Sequence, residues 1–523
     1  MINLTESDIN WALAHIEKYG DTDVFPTSFE YKAIRHNWDN IKQFLLSQDI
    51  SKWVVRPNRT LLSPKAKYGF RVITQIDPID SIIYSALIYH ISNDIEQIRI
   101  PISEEIVFSY RVQSNSDGTL YNPDVGYRNF LSRCRRIIES NNDLTNIVVT
   151  DISDFYSNIY LHRLENALRS SNAEVNYISA IMHLLSGWNG SETYGIPVGN
   201  APSRLLAEAT LSDVDSSLRA NGINFIRYND DYRIFAQSHS DAYRSLAYLA
   251  EILNKNHGLT LQQQKTDILN SELFKEKYLI TPQDREINKL HERFDELVEV
   301  LDLDDPYQHI DYDDLSSDQK DIIDSLNLQE ILRSEIEETE PDLSVVRFIL
   351  RRLTQLCDDS FIDEILDNID SLYPAFPDII KYIEAFTYLD KNRRYQIGSK
   401  LLQLFENSII SELDYHKLWC LYPFSETSLW NQSQKFVILY NNSNDNISKR
   451  KLILALGRSG QRHWFHTHWR DLSNFSPWMK RSVIAAASCM PSDARKHWYR
   501  SINPQLDILE QSIAKWVQQN PFS

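Results

Sequence analysis

Three aspartates in the first half of the chain could hold divalent cations. Asp151 follows a β-branched run, Ile147 to Thr150, which is typical of a strand that delivers a carboxylate at its end. Asp230 and Asp231 stand between two apolar stretches, the pattern of a hairpin with a tight acidic turn. Three carboxylates at adjacent strand ends would repel one another unless cations lay between them, and hard oxygen ligands favour Mg²⁺. Such a site could perform two-metal phosphoryl or nucleotidyl transfer.

The elements that must position these aspartates follow from the flanking sequence. Residues 146–150 predict one strand, and residues 223–228 and 232–236 predict two strands joined by the turn at residues 229–231. On its own, a Tyr-Asn-Asp-Asp turn is equally typical of a solvated hairpin tip. The loop from Gly195 to Gly199 has two glycines and a proline, and we expect Ser203 to cap the helix after it.

Composition restricts the class of protein. The 523 residues include 54 basic and 72 acidic side chains, a formal charge of -18. Because nucleic-acid duplexes are bound largely through Lys and Arg, broad duplex binding is disfavoured. No apolar run is long enough to span a membrane, and the first residues lack a secretion signal, so we expect a cytoplasmic protein with no membrane partner. The four cysteines lie far apart and indicate neither disulfides nor a zinc site.

The chain is too long for one hydrophobic core, which predicts two domains. Ten of the 13 glycines precede residue 281, whereas the apolar spacing from Glu286 onward is mostly helical. We therefore expect an α+β protein, with residues 1–280 containing the strands and residues 281–523 forming an all-α domain.

The aspartates belong to a longer series of motifs that resembles the reverse transcriptase family. Seven blocks occur in that family's order, which a chance match does not explain. The fingers blocks are Lys67 to Ile73, Asp80 to Leu87 and Phe108 to Arg111, and the palm blocks are Asp151 to Tyr156, Gly195 to Arg204, Tyr228 to Asp231, and Leu259 to Thr266. The resemblance implies a fingers and palm fold for residues 1–280.

The resemblance also implies roles for single residues. Asp151, the Ile152 carbonyl and Asp230 would bind two Mg²⁺ ions, and Asp231 would support them. Lys67 and Arg71 would hold the triphosphate of an incoming dNTP, in keeping with a point charge and a bidentate guanidinium on phosphate.

Two further palm residues acquire roles in the same way. Tyr156 takes the sugar-gate position, where an aromatic ring excludes a 2′-hydroxyl, so DNA rather than RNA would be made. Lys265 matches a basic residue that would protonate departing pyrophosphate.

One departure from the usual family motif indicates which members of the family the chain resembles most. Templated members usually carry glutamine before the second loop glycine, and Val198 stands there instead. With the continuation Ser203 to Glu208 and the helical second half, the chain is similar to bacterial abortive-infection polymerases of the AbiK type, most like the shorter prophage-encoded members. That likeness implies phage defence, template-independent DNA synthesis, a HEAT-like helical domain and a homo-oligomer, with a trimer expected.

The likeness further implies that a protein hydroxyl primes the strand, so that single-stranded DNA product stays covalently attached to protein. The priming residue is not fixed by the sequence, and Tyr19 and Tyr31 are N-terminal candidates.

Other readings stay open at this point. The nearest is a templated RNA-directed DNA polymerase of the retron or group II intron kind, against which Val198 stands. Another is a helical toxin or binding module with an inactive palm, which the intact Asp151, Asp230, Asp231 and Tyr156 oppose.

Overall fold

The computed structural model describes residues 2–66, 68–141, 143–279, 328–338 and 341–522. These residues form two compact units. The first contains Met1–Ser28, Trp38–Thr60 and Val72–Thr281, and the second contains Phe29–Asn37, Leu61–Arg71 and Pro282–Ser523, as far as each is described. The domain boundary predicted at residue 280 lies outside the described residues and stays a prediction. Two short N-terminal segments join the second unit, which no pattern in the sequence predicted.

Up to residue 279 the chain alternates helices with short strands. The helices are α1 (Glu6–Tyr19), α2 (Glu30–His36), α3 (Trp38–Ser47), α4 (Pro78–Ile98), α5 (Tyr127–Ser140), α6 (Phe155–Asn158), α7 (Leu161–Arg169), α8 (Val175–Asn189), α9 (Ala201–Thr210), α10 (Ser212–Ala220), α11 (His239–Ile252) and α12 (Ser271–Phe274). The strands are β1 (Arg59–Ala66), β2 (Gly69–Gln75), β3 (Asn146–Asp151), β4 (Phe225–Tyr228), β5 (Asp231–Ala236) and β6 (Asp267–Asn270).

The strands predicted around the aspartates are confirmed, and they lie in one sheet. Strands β1 and β2 pair with each other, and the remaining four form an antiparallel sheet in the order β4-β5-β3-β6. In its register, Asn146 of β3 pairs with Ala236 of β5, and Asp151 pairs with Asp231. The central strand β3 is buried almost throughout, as its Ile147-Val148-Val149 run requires.

A hydrophobic cluster packs beneath one face of this sheet. Helix α5 contributes Phe130, Cys134, Ile137 and Ile138, which recur at helical spacing, and β3 contributes Ile147 and Val149. Because strand side chains alternate between faces, Asp151 lies on the same face as Ile147 and Val149, at the end of the strand. The burial of this face therefore fixes the direction in which the carboxylate points.

The described part of the second unit is helical after residue 327. Its helices are α13 (Leu328–Glu337), α14 (Leu343–Gln355), α15 (Ile362–Asp367), α16 (Ile369–Leu372), α17 (Phe376–Ala385), α18 (Lys391–Asn407), α19 (Asp414–Cys420), α20 (Tyr422–Glu426), α21 (Ser433–Asn442), α22 (Asn446–Arg458), α23 (Arg462–His468), α24 (Pro477–Ala486), α25 (Ser492–Ile502) and α26 (Ile508–Gln519). A helical C-terminal region was predicted and is confirmed, whereas a HEAT-like repeat stays a prediction. In the described part of the chain, no helix is long and apolar enough to cross a membrane.

A buried ion cluster joins helices of the second unit that are distant in sequence. The Glu30 carboxylate of α2 accepts two hydrogen bonds of 2.9 Å from Arg450 of α22, and Arg481 of α24 lies 3.5 Å away. All three side chains are at most 3% exposed. This cluster explains why the segment Phe29–Asn37 belongs to the helical unit.

Candidate active site

The sheet register brings two of the three predicted aspartates face to face. Asp151, the last residue of β3, pairs with Asp231, the first residue of β5, so both side chains leave the same face of the sheet. Asp230 lies in the turn before β5, and its carbonyl accepts a 3.2 Å hydrogen bond from the Ile152 amide. The sequence predicted Asp231 in the turn, but it already belongs to the strand, paired with Tyr228 as well.

Asn229 shapes the turn that carries Asp230. Its φ of 55° lies in the left-handed region, which Asn tolerates better than most residues. Its side-chain amide donates a 2.7 Å hydrogen bond to the Asp230 carboxylate, and its side-chain oxygen accepts one of 3.3 Å from the Tyr156 hydroxyl. One asparagine thus links the metal-ligand candidate to the sugar-gate candidate.

A buried polar network lies beneath this turn. Arg227 of β4 donates to Glu208 and Asp215, and it also donates a 2.7 Å hydrogen bond to the Asn229 carbonyl. Ser109 donates a 2.5 Å hydrogen bond to Glu208 and accepts one of 2.8 Å from the Asn229 amide. Both backbone polar groups of Asn229 are therefore held by residues below the turn.

The charges of this network balance. Glu208 and Asp215 are matched by Arg227 and by Arg99, which donates to Glu208 over 2.7 Å. All four side chains are at most 3% exposed. The two guanidinium groups lower the pKa of Glu208 although its burial acts in the opposite direction, so the carboxylate stays charged. A neutral buried cluster of this kind fixes one turn geometry, since any rearrangement would leave charges unpaired.

The two facing aspartates differ in their surroundings. Burial raises the pKa of Asp231, and the nearby Asp151 raises it further, whereas Arg233 and Lys265 lower it. Arg233 is buried, lies 3.6 Å from Asp231 and stacks over the Phe130 ring at 5.5 Å. Asp231 is thus held between a like charge and a fixed cation, and its supporting role stays a prediction.

Lys265 reaches the first aspartate from the segment after α11. Its ammonium group donates to the Asp151 carboxylate, and the hydrogen bond raises the pKa of Lys265 although burial lowers it. The segment is held in place because the Gln262 amide donates to the Asp151 carbonyl over 2.7 Å and Ser153 donates to Gln262 over 2.7 Å. The structure therefore places Lys265 at the site, and its role as a proton donor to pyrophosphate stays a prediction.

The donors present are suited to a hard cation, but they are not gathered into a ready metal site. Carboxylate oxygens are the ligands that Mg²⁺ prefers. Among the described residues, however, no group of three or more His, Cys, Asp or Glu side chains could hold an ion. The expected cluster of three carboxylates around cations stays a prediction, and in this structure Lys265 contacts Asp151. The ligand roles of Asp151, Ile152 and Asp230 stay predictions.

The glycine loop supports the short helix that carries Tyr156. The Ile196 amide donates to the Tyr156 carbonyl over 3.0 Å, and the Gly195 amide donates to the Ile159 carbonyl over 2.8 Å. Gly199 has a φ of 105°, and a Cβ there would lie 2.7 Å from Thr22 and Val24. Only glycine fits that position, which explains the second glycine of the motif. Val198, which lies between Gly195 and Gly199 in the chain, is partly buried.

The prediction that Ser203 caps the next helix is wrong. Helix α9 begins at Ala201 with Asn200 as its N-cap, and Ser203 lies inside the first turn. Its hydroxyl is buried and lies 3.0 Å from that of Tyr84 in α4. Pro202 can open the helix without a side-chain cap, since a proline in the first turn removes no helical hydrogen bond.

The remaining candidates fall in other places. Lys67 lies outside the described residues, and Arg71 is exposed in the second unit, where its charge lowers the pKa of Tyr415 against the larger, opposite effect of burial. Tyr19 is 51% exposed, with its hydroxyl 2.9 Å from that of Thr119, whereas Tyr31 is only 6% exposed.

Sequence reasoning missed the residues beneath the turn. Ser109 lies in a motif block, Glu208 ends the Ser203 to Glu208 continuation, and Arg227 lies in a predicted strand, but nothing assigned them a role. A signal was present in Arg227, a charged residue in an otherwise apolar and aromatic strand, since a buried guanidinium requires a partner. Its partners Glu208 and Asp215 could not be found from spacing alone because they come from two other helices, α9 and α10.

Comparisons with known proteins agree with this geometry. Residues 63–291 match the family of reverse transcriptases, described as RNA-dependent DNA polymerases. The chain contains a reverse transcriptase domain. In this domain β3 to β6 form the palm sheet, and the domain is that of a nucleotidyltransferase. No curated protein sequence matches the chain.

Solved structures with some likeness to this chain include telomerases from two Candida species. A Candida albicans telomerase in complex with a TWJ fragment of telomeric RNA is 12% identical, covering 79% of this chain and 71% of the other, with a TM-score of 0.31. Apo telomerase from Candida tropicalis is 11% identical, covering 94% and 74%, with a TM-score of 0.32. Similarity this low does not bear on the activity of the reverse transcriptase domain.

Proposed function

We propose that this protein is a DNA polymerase that begins strands on one of its own hydroxyl groups and extends them from dNTPs without a template. The observation that carries the polymerase activity is the facing pair Asp151 and Asp231 beside the Asp230 turn, within a reverse transcriptase domain. When bound, two Mg²⁺ ions would supply an activated attacking oxygen and stabilisation of the departing pyrophosphate.

The protein's own residues would prepare the site for this chemistry. Asp151 and Asp230 offer oxygen ligands, and Asn229 holds Asp230 from one side while the buried Ser109 and Arg227 hold Asn229 from below. Lys265, already beside Asp151, would move its proton toward the leaving pyrophosphate. Pre-positioning of this kind lowers the barrier because little reorganisation remains for the reaction step.

The choice of DNA follows from Tyr156. Its ring is half-buried against Phe155 at 5.6 Å, and its hydroxyl is anchored to Asn229. A ring fixed at both ends cannot swing away from a sugar, so we propose that it excludes a 2′-hydroxyl.

Template-independent synthesis is supported by Val198, whose side chain cannot form the hydrogen bond that glutamine would make with a template strand. Together with the resemblance to abortive-infection polymerases, this supports a role in bacterial phage defence, in the cytoplasm and as a homo-oligomer, with a trimer proposed. Between the two priming candidates, the exposed Tyr19 is favoured over the buried Tyr31, because in-line attack requires an accessible oxygen.

The test uses purified full-length protein with labelled dNTPs and Mg²⁺, without primer or template. Labelled product should stay with the protein through boiling in detergent and should leave that band after protease digestion. Tyr19→Phe should abolish the band, while the matched variant Tyr31→Phe should keep it. Product that is free of protein, or that forms only on a primed template, would instead establish a templated reverse transcriptase.

A further inference from the structure

The charge of the chain reverses near its C-terminus. Residues 446–523 contain 12 Lys and Arg against four Asp and Glu, in a protein whose formal charge is -18. A cluster of positive charge on an acidic protein creates a local surface that attracts anionic ligands.

Most Lys and Arg side chains of this segment that contact other described residues hold the helices of the second unit together. Arg450 and Arg481 surround Glu30, and Lys480 donates a 2.7 Å hydrogen bond to Glu510. Arg458 stacks on the Phe522 ring at 3.7 Å. These side chains hold the helical unit together and are not available to a ligand.

Three other cations converge on an open groove between α25 and α26. The groove has a volume of about 410 Å³, within the range of small-ligand sites. Its polar lining consists of Lys496, Arg500, Lys515, Asn503, Gln518 and Tyr499. Lys496 and Arg500 lie one turn apart on α25 and therefore point to the same side of that helix. We call this feature the C-terminal basic groove.

The charges in this groove are not neutralised within the unit. Across the residues that the structure describes, none of Lys496, Arg500 and Lys515 forms an ion pair, and no carboxylate lines the groove. Within the described part of the chain, the hydrogen bond that Lys515 makes is a long one, 3.4 Å, to the neutral side chain of Asn37. Three cations held near one another without an anion repel, and a multiply charged anion would relieve that repulsion.

The lining also indicates how a ligand would be recognised. The aromatic ring of the groove, Tyr499, is buried, and its hydroxyl donates a 2.7 Å hydrogen bond to the Ile484 carbonyl. It cannot stack on a base. The amides of Asn503 and Gln518 add neutral hydrogen-bond donors beside the cations, a combination that suits phosphate oxygens.

We propose that the C-terminal basic groove binds oligophosphate, supplied either by the sugar-phosphate backbone of a nucleic-acid strand or by a free phosphate chain. Recognition is through charge and hydrogen bonds, without reading bases. This site belongs to the helical unit and does not depend on the proposed polymerase activity.

The test measures binding to full-length protein in EDTA, so that metal-dependent nucleotide binding at the palm is suppressed. The probes are a fluorescent 20-nucleotide thymidine strand and inorganic tripolyphosphate. The variant combines Lys496→Ala, Arg500→Ala and Lys515→Ala, and the control combines Arg351→Ala, Lys391→Ala and Arg470→Ala, which removes three exposed cations from the same unit. Exposed substitutions of this kind should leave the fold intact, which circular dichroism will check.

We expect the groove variant to lose at least tenfold in affinity for one or both probes, while the control changes less than twofold. For the strand, the slope of log K against log salt should fall by about 2, since each phosphate contact on a single strand contributes roughly 0.7. Loss for the strand alone assigns the ligand as a phosphodiester backbone, and loss for tripolyphosphate as well assigns it as any phosphate chain. Equal binding by the groove variant and the control would overturn the proposal.

Discussion

The two units of this protein each bury an arginine–carboxylate cluster, and the two clusters have different structural roles. Around Arg227, two arginines and two carboxylates balance, and the hydrogen bonds end at the backbone of the turn that carries Asp230. Around Glu30, one carboxylate serves Arg450 and Arg481, and the remaining Arg450 bond goes to the Trp478 carbonyl within the helical core. Similar chemistry therefore positions a reactive turn in one unit and fastens helices in the other.

Burial and charge alone do not show whether an arginine–carboxylate cluster positions catalytic residues or stabilises the fold. Both clusters are almost fully buried, and both would be costly to break. What separates them is the group at the end of each hydrogen-bond chain, which is a carboxylate-bearing turn in the palm and a helix backbone in the C-terminal unit. Activity and stability should therefore respond differently to changes in the two clusters.

The largest effect should come from the residue that the first cluster supports. Asp230→Asn removes one charge from the proposed metal ligands, so nucleotide incorporation should fall below detection while the fold is retained. Incorporation of labelled dNTPs by purified protein measures this, and the exposed Asp124→Asn is the control. A parental rate in Asp230→Asn would mean that the turn is not the metal site.

Breaking the second cluster should affect stability instead. Glu30→Gln leaves two buried guanidinium groups without a carboxylate, which should cost about 3 kcal/mol of unfolding free energy. Urea unfolding monitored by tryptophan fluorescence provides the measurement. The exposed Glu406→Gln should change stability by less than about 0.5 kcal/mol. A similarly small change in Glu30→Gln would show that the cluster is not structural.

A milder change in the first cluster should separate positioning from folding. Ser109→Ala removes the hydroxyl that joins Glu208 to the Asn229 amide, so the turn loses one anchor. We expect kcat to fall about tenfold, which corresponds to a loss of about 1.4 kcal/mol of transition-state stabilisation. The concentration of Mg²⁺ that the reaction requires should rise, and KM for dNTPs should change little.

Two variants serve as controls for this measurement. Ser109→Thr keeps the hydroxyl and should recover most of the activity. Ser92→Ala removes another buried hydroxyl, which donates to the Tyr89 carbonyl of its own helix, and it should leave kcat unchanged. If Ser92→Ala lowered kcat as much as Ser109→Ala, the effect would be one of general packing.

The sugar gate depends on the same turn through Asn229. Tyr156→Ala should open space for a 2′-hydroxyl and raise incorporation of ribonucleotides relative to deoxyribonucleotides several-fold. Parallel extension assays with each nucleotide set measure the ratio. An unchanged ratio would assign the gate to another side chain, with Phe155 the first to examine, although it is only 2% exposed.

The smallest effect concerns pH, because each unit also buries a carboxyl group with a raised pKa. Burial, reinforced by Asp77, raises the pKa of Asp80 to about 6, and burial with Glu426 nearby raises that of Glu384 to about 8. A raised pKa means that folding favours the protonated form, so each contribution is fully present below the ordinary carboxyl pKa of 3.8 for Asp80 and 4.5 for Glu384. It is lost as pH rises from there to about 6 for Asp80 and about 8 for Glu384.

Melting temperatures between pH 5 and 9 would check this expectation. Asp80→Asn should flatten the profile between pH 5 and 6, and Glu384→Gln should flatten it between pH 5 and 8. Profiles parallel to the wild type in both variants would contradict the assignment of these groups.

The sequence by itself determined the local elements and the identity of the palm. The β-branched run before Asp151 gave β3, the apolar stretches on both sides of Asn229 gave β4 and β5, and the order of motif blocks gave the reverse transcriptase domain. These features depend on neighbouring residues or on the order of motifs along the chain, and neither requires knowledge of three-dimensional contacts.

Only the tertiary structure decided what holds those elements in place. The register that sets Asp151 opposite Asp231, the contact of Lys265 with Asp151, and the hydrogen bond of Ser109 to Glu208 all join residues far apart in the chain. Ser203 was misread as a cap for the same reason, since its partner Tyr84 comes from another helix. Buried polar groups need partners, but spacing does not say which distant residue supplies them, because packing makes that choice.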